Sequence, residues 1–190
     1  MSATLQLADI HYWTGCLDPA RAATRITPAT KAIIAGNVNG HPADWTALRT
    51  LADRHGLALI EDSTEAIGSR WQGRAVGGFG DLSVFDFSQP SALCCGEGGM
   101  LVTRDSQLAA RAKVMRLHGI NRDAFDRFTA KVPSWYYEIV APGFKYNLTD
   151  IAAAMGLHQL KRLKGFQERR EQIAARYDEA LADLPLILPP

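Results

Sequence analysis

Two short apolar runs on either side of an amphipathic helix fix the topology of the middle of this chain. Lys31-Ala32-Ile33-Ile34-Ala35 and Leu57-Ala58-Leu59-Ile60 each read as a buried strand: short, continuous and bounded by turn residues. Between them, Pro42-Ala43-Asp44-Trp45 opens a helix with Trp45, Leu48, Leu51 and Ala52 on one face, and Gly56 closes it. Two strands joined through a helix pair in parallel by a right-handed crossover. The second strand runs out into Glu61-Asp62. Open α/β sheets bind ligands at the carboxyl ends of their strands, so Asp62 is a candidate site residue. The residues alone also allow Asp62 to be a carboxylate that caps a turn.

The flanking segments continue the alternation of strand and helix. Leu5 to Asp9 reads as a short strand, and Asp18-Pro19 as a capped helix start. Ser69 to Gly78 looks like a turn-rich ribbon. Leu82–Phe87 and Met100–Thr103 read as strands separated by the Gly96-Glu97-Gly98-Gly99 turn, and Asp105 caps a helix running to about Leu117. Residues 118–147 are rich in aromatics and poor in periodicity. From Leu148 the pattern is helical, with Ile151, Met155, Leu160, Leu163 and Phe166 near one stripe and Gly165 as a possible break. The reading is an α/β layered domain over residues 1–147, followed by a helical arm over 148–190.

Composition narrows the function classes. A net charge of +1 with both signs mixed along the chain gives no electrostatic reason for a nucleic-acid or anionic-membrane partner. No apolar run reaches the length of a membrane span, and residues 1–9 lack the pattern of a signal peptide. Three cysteines, two of them adjacent as Cys94-Cys95, fit reduced thiols and a cytoplasmic location. The five histidines, His11, His41, His55, His118 and His158, show no metal-ligand spacing, so no metal is expected.

The chemistry-bearing motifs lie along the whole chain. They are Ile26-Thr27-Pro28-Ala29-Thr30-Lys31-Ala32-Ile33-Ile34, Gly40-His41-Pro42-Ala43-Asp44, and Ile60-Glu61-Asp62-Ser63-Thr64-Glu65-Ala66-Ile67-Gly68. Next comes Gly80-Asp81-Leu82-Ser83-Val84-Phe85-Asp86-Phe87, continued through Ser91 to Gly96-Glu97-Gly98-Gly99, and then Gly143-Phe144-Lys145-Tyr146-Asn147-Leu148-Thr149-Asp150-Ile151. Together they resemble the DegT/DnrJ/StrS family of pyridoxal-phosphate (PLP) sugar aminotransferases. The last motif is closest to the 4-amino-4-deoxy-arabinose aminotransferase branch.

The resemblance implies a fold-type I aminotransferase architecture: part of the large domain, with a mainly parallel sheet flanked by helices, followed by the helical arm. It implies a dimer or a complementing protein chain as partner. It also implies that a phosphate-binding turn should precede the matched segment and a small domain should follow it.

By the same resemblance, Asp62 matches the aspartate that pairs with the PLP ring nitrogen, and Glu65 stands where relatives carry glutamine or histidine. Asp86 replaces a serine that donates to the phosphate, and Asn37 stands where many relatives have histidine. Lys145 and Asn147 lie in the motif that reaches a neighbouring subunit's phosphate, although Lys145 also reads as a surface lysine. Ser91 matches the lysine that forms the imine with PLP. A serine hydroxyl forms no stable imine, and an ionised aspartate accepts hydrogen bonds without donating any. The expectation is therefore an aminotransferase-like protein with weak or absent PLP binding and no transaminase activity of its own. The alternatives are one part of a split PLP-dependent enzyme, or a non-catalytic scaffold or regulatory subunit.

Overall fold

A computed structural model describes residues 3–88, 92–121 and 136–187. Its centre is the crossover read above. Strand β1 (Ala32–Gly36) leads through a short 3₁₀ turn at Val38–Gly40 into α2 (Trp45–His55), and the chain returns as β2 (Ala58–Asp62), parallel to β1. Upstream lies α1 (Pro19–Ala23), whose cap Asp18 accepts from the Ala20 and Arg21 amides. Downstream are a two-stranded ribbon, β3 (Arg70–Trp71) and β4 (Arg74–Ala75), and then β5 (Leu82–Asp86) and β6 (Gly99–Thr103). Helices α3 (Ser106–Met115) and α4 (Asp150–Leu181) follow. The main sheet has the order β1-β2-β5-β6, with β6 antiparallel to β5 and the other pairs parallel.

Helix α2 starts and stops as its residues dictate. The Asp44 side chain accepts from the Ala47 amide, and Gly56 takes the left-handed conformation at φ 62° that a side chain would resist. Its buried face, Trp45, Leu48, Leu51 and Ala52, packs with Ile33, Ala35 and Leu59 of one sheet face into the core. Phe79 stacks on Trp45 with ring centroids 6.0 Å apart, which extends the core to the loop before β5.

Three expectations fail in detail. Residues 5–9 form no strand; an isolated bridge between Ile10 and Leu17 is the β-type pairing near them. A strand needs a neighbour along its length to satisfy its backbone groups, and among the described residues this segment is paired only at its end, where the Asp18 amide donates to the Asp9 carbonyl at 3.2 Å. Helix α4 runs through Gly165 without interruption, since one glycine costs a long helix only about 1 kcal/mol. The face α4 turns toward the domain also takes in only part of the bulky stripe. Ala152, Ala153, Gly156, Gln159, Leu163 and Phe166 are half-buried, while Ile151, Met155 and Leu160 are exposed. Small residues hold the first turns of that face, where the helix passes close to a loop at the carboxyl end of the sheet. Gly156 lies against Cys95, and a methyl group on Gly68 would fall 1.7 Å from Gln167 Nε2.

Candidate functional site

Strand register places the candidate carboxylates. Ile34, Ile60, Leu82, Val84 and Leu101 share the sheet face opposite α2, because Ile34 pairs with Ile60, Ile60 with Leu82, and Val84 with Leu101. Asp62 and Asp86 lie on that same face at the carboxyl edge. Asp62 is in register with Val84, and Asp86 sits two residues further along β5. The fold thus brings these two sequence candidates to adjacent strand ends.

Their local bonding differs. Asp62 is half-buried and accepts from the Thr64 amide through Oδ1 at 3.1 Å, an aspartate turn that closes the strand end. Asp86 accepts from the Ser88 amide through Oδ1 at 2.8 Å and from the Ser88 hydroxyl through Oδ2 at 2.5 Å. These Ser88 bonds, hydroxyl first, hold the Asp86 carboxyl below the usual aspartate range against a smaller opposing effect of burial. Asp86 is therefore a committed anion at neutral pH. Burial, with Cys94 and Asp86 nearby, pushes the Cys95 thiol up, so that sulfur is a poor nucleophile.

The remaining candidates are held apart from this pair. Glu65 is exposed, and its Oε2 accepts from the Asn39 amide at 2.6 Å. Asn39 has φ 53°, so Glu65 secures a strained turn after β1. Lys145 Nζ donates to Asn147 Oδ1 at 2.9 Å, and among the described residues no ion pair joins Lys145 to Asp62 or Asp86. Ser91, with Gln89 and Pro90, lies outside the described residues.

Lys145 is positioned by backbone pairing. Phe144 donates to Met115, His118 to Phe144, Tyr146 to Arg116 and Val140 to Gly119, which lays the segment around 140–146 along the end of α3. Gly119 and Gly143 permit this approach: a methyl group on Gly143 would stand 2.0 Å from the Gly119 nitrogen. Gly143→Ala should therefore lower stability by about 1–3 kcal/mol, as overpacking does. It should also speed amide exchange at Phe144 and Tyr146. Unchanged exchange there would show that the segment does not depend on this contact.

On the opposite face the strand ends are tied together by Glu61, which the motif reading passed over. It is fully buried on the α2 side of the sheet. Its Oε1 accepts from Ser63 Oγ at 2.9 Å, Asn37 Nδ2 at 3.4 Å and the Gly77 amide. Its Oε2 accepts from the Phe79 amide at 2.9 Å, the Gly80 amide at 3.2 Å and Ser83 Oγ at 3.0 Å. Burial alone would raise this carboxyl, yet the bonds from Gly77, Phe79, Ser63 and Gly80 together hold it below its ordinary value of 4.5.

Asn37 belongs to the same network. Its Nδ2 donates to Ser63 Oγ at 2.9 Å, and its Oδ1 accepts from Trp45 Nε1 at 2.8 Å and the Ala43 amide at 3.0 Å. The position where many relatives have histidine is thus a buried link between β1 and α2. A signal for Glu61 was present in the sequence: an acid on the same inward alternation as Leu59, at a position an apolar side chain would otherwise fill.

Comparison with known proteins bears on this geometry. The sequence profile of the DegT/DnrJ/EryC1/StrS aminotransferase family matches residues 1–190. The Bacillus subtilis spore coat polysaccharide biosynthesis protein SpsC is 41% identical over 188 residues, spanning 99% of this chain and 48% of SpsC. The Helicobacter pylori aminotransferase PseC, involved in the biosynthesis of pseudoaminic acid, superposes with a TM-score of 0.84 at 31% identity, over 93% of this chain and 45% of PseC. The sugar aminotransferase Spr1654 of Streptococcus pneumoniae, in its pyridoxamine-phosphate (PMP) form, superposes with a TM-score of 0.86 at 28% identity, over 95% of this chain and 50% of its own. The chain spans about half the length of these relatives. With a profile match along its length and a sheet that superposes on the family's solved members, the chain belongs to the DegT/DnrJ/EryC1/StrS aminotransferase family.

Proposed function

We propose that this chain is an aminotransferase-like protein of the sugar-nucleotide type that does not transaminate on its own. The observation that carries the reading is the Asp86–Ser88 pair. The family implies PLP, and the residues present do not fit it as a complete set. The Asp62 carboxylate at the end of β2 suits a protonated ring nitrogen. At the other end of the candidate site stands an ionised aspartate whose neighbouring hydroxyl and amide already point at it. A phosphate dianion there meets like charge, with the Ser88 donors already engaged. The sequence adds Ser91 where the imine needs an amine.

The motif from Gly143 to Ile151 supports descent from the 4-amino-4-deoxy-arabinose branch. The break before α4 supports a domain limit near residues 147 and 148, with the arm beyond it. No described helix is long and apolar enough to cross a membrane, and the unpaired thiols suit a cytoplasmic setting. A homodimer or a complementing chain is the partner this reading favours.

The test is direct. Purified chain incubated with one equivalent of PLP and treated with borohydride should yield no stoichiometric adduct at a single lysine by peptide mass analysis, and unreduced chain should keep no cofactor absorbance after desalting. A stoichiometric adduct on any lysine of this chain would overturn the reading.

A further inference from the structure

The turn between β1 and α2 is built from a chemically reactive pair. Asn39 stands at φ 53° and ψ 27°, and Gly40 follows at φ 84°. Asparagine tolerates the left-handed region better than most side chains and glycine enters it freely, so the turn selects Asn-Gly. The sequence holds no other Asn-Gly pair. An asparagine amide carbon can close a five-membered ring with the next backbone nitrogen, and a glycine there leaves that nitrogen unshielded by any side chain. Asn39 is exposed, and among the described residues no hydrogen bond engages its side-chain amide.

The folded turn blocks that closure. The ring needs the Gly40 nitrogen and the Asn39 Cβ on one side of the Asn39 Cα–C bond. In the left-handed region Cβ lies beside the residue's own carbonyl oxygen, and so away from the next nitrogen. Closure therefore requires a large rotation of ψ, and three bonds resist it. Glu65 Oε2 accepts from the Asn39 amide at 2.6 Å, Ser69 Oγ donates to the Gly40 carbonyl at 2.7 Å, and the His41 amide donates to the Val38 carbonyl at 2.9 Å. Glu65 pins the peptide before the reactive residue, and the other two pin the chain after it.

We propose that Asn39–Gly40 is a deamidation site, with water as co-reactant, and that Glu65 is the guard that holds it closed. The Gly40 nitrogen attacks the Asn39 side-chain carbonyl carbon. A C–N bond forms, and the side-chain nitrogen leaves as ammonia with the proton that Gly40 gives up. Water then opens the imide at either carbonyl, giving aspartate or isoaspartate; no electrons are exchanged. Both products set a new carboxylate one residue from the backbone amide that Glu65 holds, and isoaspartate lengthens the backbone by one carbon. Asn37, two residues upstream, is the buried link to Ser63 and Trp45, so the modified turn loosens the join between β1 and α2.

The experiment holds the full chain at mildly alkaline pH. It follows the Asn39 peptide by mass analysis and isoaspartate by enzymatic methyl transfer, with circular dichroism to check folding. Wild-type chain should deamidate at Asn39 about tenfold or more slowly when folded than in urea. Glu65→Ala should speed the folded rate about tenfold, the scale of one hydrogen bond to a carboxylate. Glu65→Gln keeps an acceptor oxygen and should fall between the two, and it carries the test alone if Glu65→Ala does not fold. No product at Asn39 in urea would overturn the site. Equal rates in folded and urea-unfolded wild type, or no acceleration in the folded Glu65 variants, would overturn the guard. The readout is the same whether or not the chain binds PLP.

Discussion

Glu61→Gln is expected to destabilise the fold by about 3 kcal/mol or more, the scale for breaking a buried charge network. The carboxylate is an acceptor at both oxygens and is met by donors from Ser63, Gly77, Phe79, Gly80 and Ser83. A glutamine amide turns one of those oxygens into a donor facing donors. The loop carrying Phe79 should loosen, and with it the stacking on Trp45. Urea unfolding followed by circular dichroism measures the loss; a change under about 1 kcal/mol would show that water replaces the network at little cost.

The pH dependence has a definite sign. The folded-state value of Glu61 lies below the ordinary 4.5, so its contribution is fully present above that value and is lost as the pH falls through the folded value. The native chain should therefore lose stability on acidification below about 4.5, and the glutamine variant should show a flatter acid limb.

The second large effect concerns the cofactor. Ser91→Lys by itself should give no stable PLP complex, because Asp86 still opposes the phosphate. Adding Asp86→Ser removes that charge and returns a hydroxyl donor. Two unit charges about 4 Å apart near a protein surface interact by about 4 kcal/mol, so even partial relief should strengthen PLP retention by about tenfold or more over the single variant. Equilibrium dialysis with PLP reads the difference. Tight, borohydride-trappable binding by the single variant would mean that Asp86 turns away from the phosphate position and that its charge is harmless.

Much of the scaffold was legible because its signals are local. The Asp44 cap, the Gly56 terminator and the Trp45-Leu48-Leu51-Ala52 face together define α2, and they agree with one another. The placement of Asp62 at a strand end followed from the crossover. What escaped was set by contacts distant in sequence. Glu61 looks like one of a pair of acids until β5 and the Gly77–Gly80 loop fold over it. Asn37 could not be assigned to the core without knowing that Trp45 Nε1 reaches it. In α4 the helical period was readable but the docking face was not, since close approach to Cys95 favours glycine at position 156, and Gln167, a polar side chain, reaches over Gly68, so the face does not coincide with the hydrophobic stripe on which a helix is normally read.

Helix α4 also carries a mechanical consequence. Its contacts with the body end near Gln167, and residues 168–180 are all exposed. At the rise of an α-helix that distal stretch extends about 20 Å. It acts as an outrigger: small rotations at the Gly156 and Gln167 supports are magnified into sizeable sweeps at Tyr177. Proteases should nick this rod well before they reach the sheet.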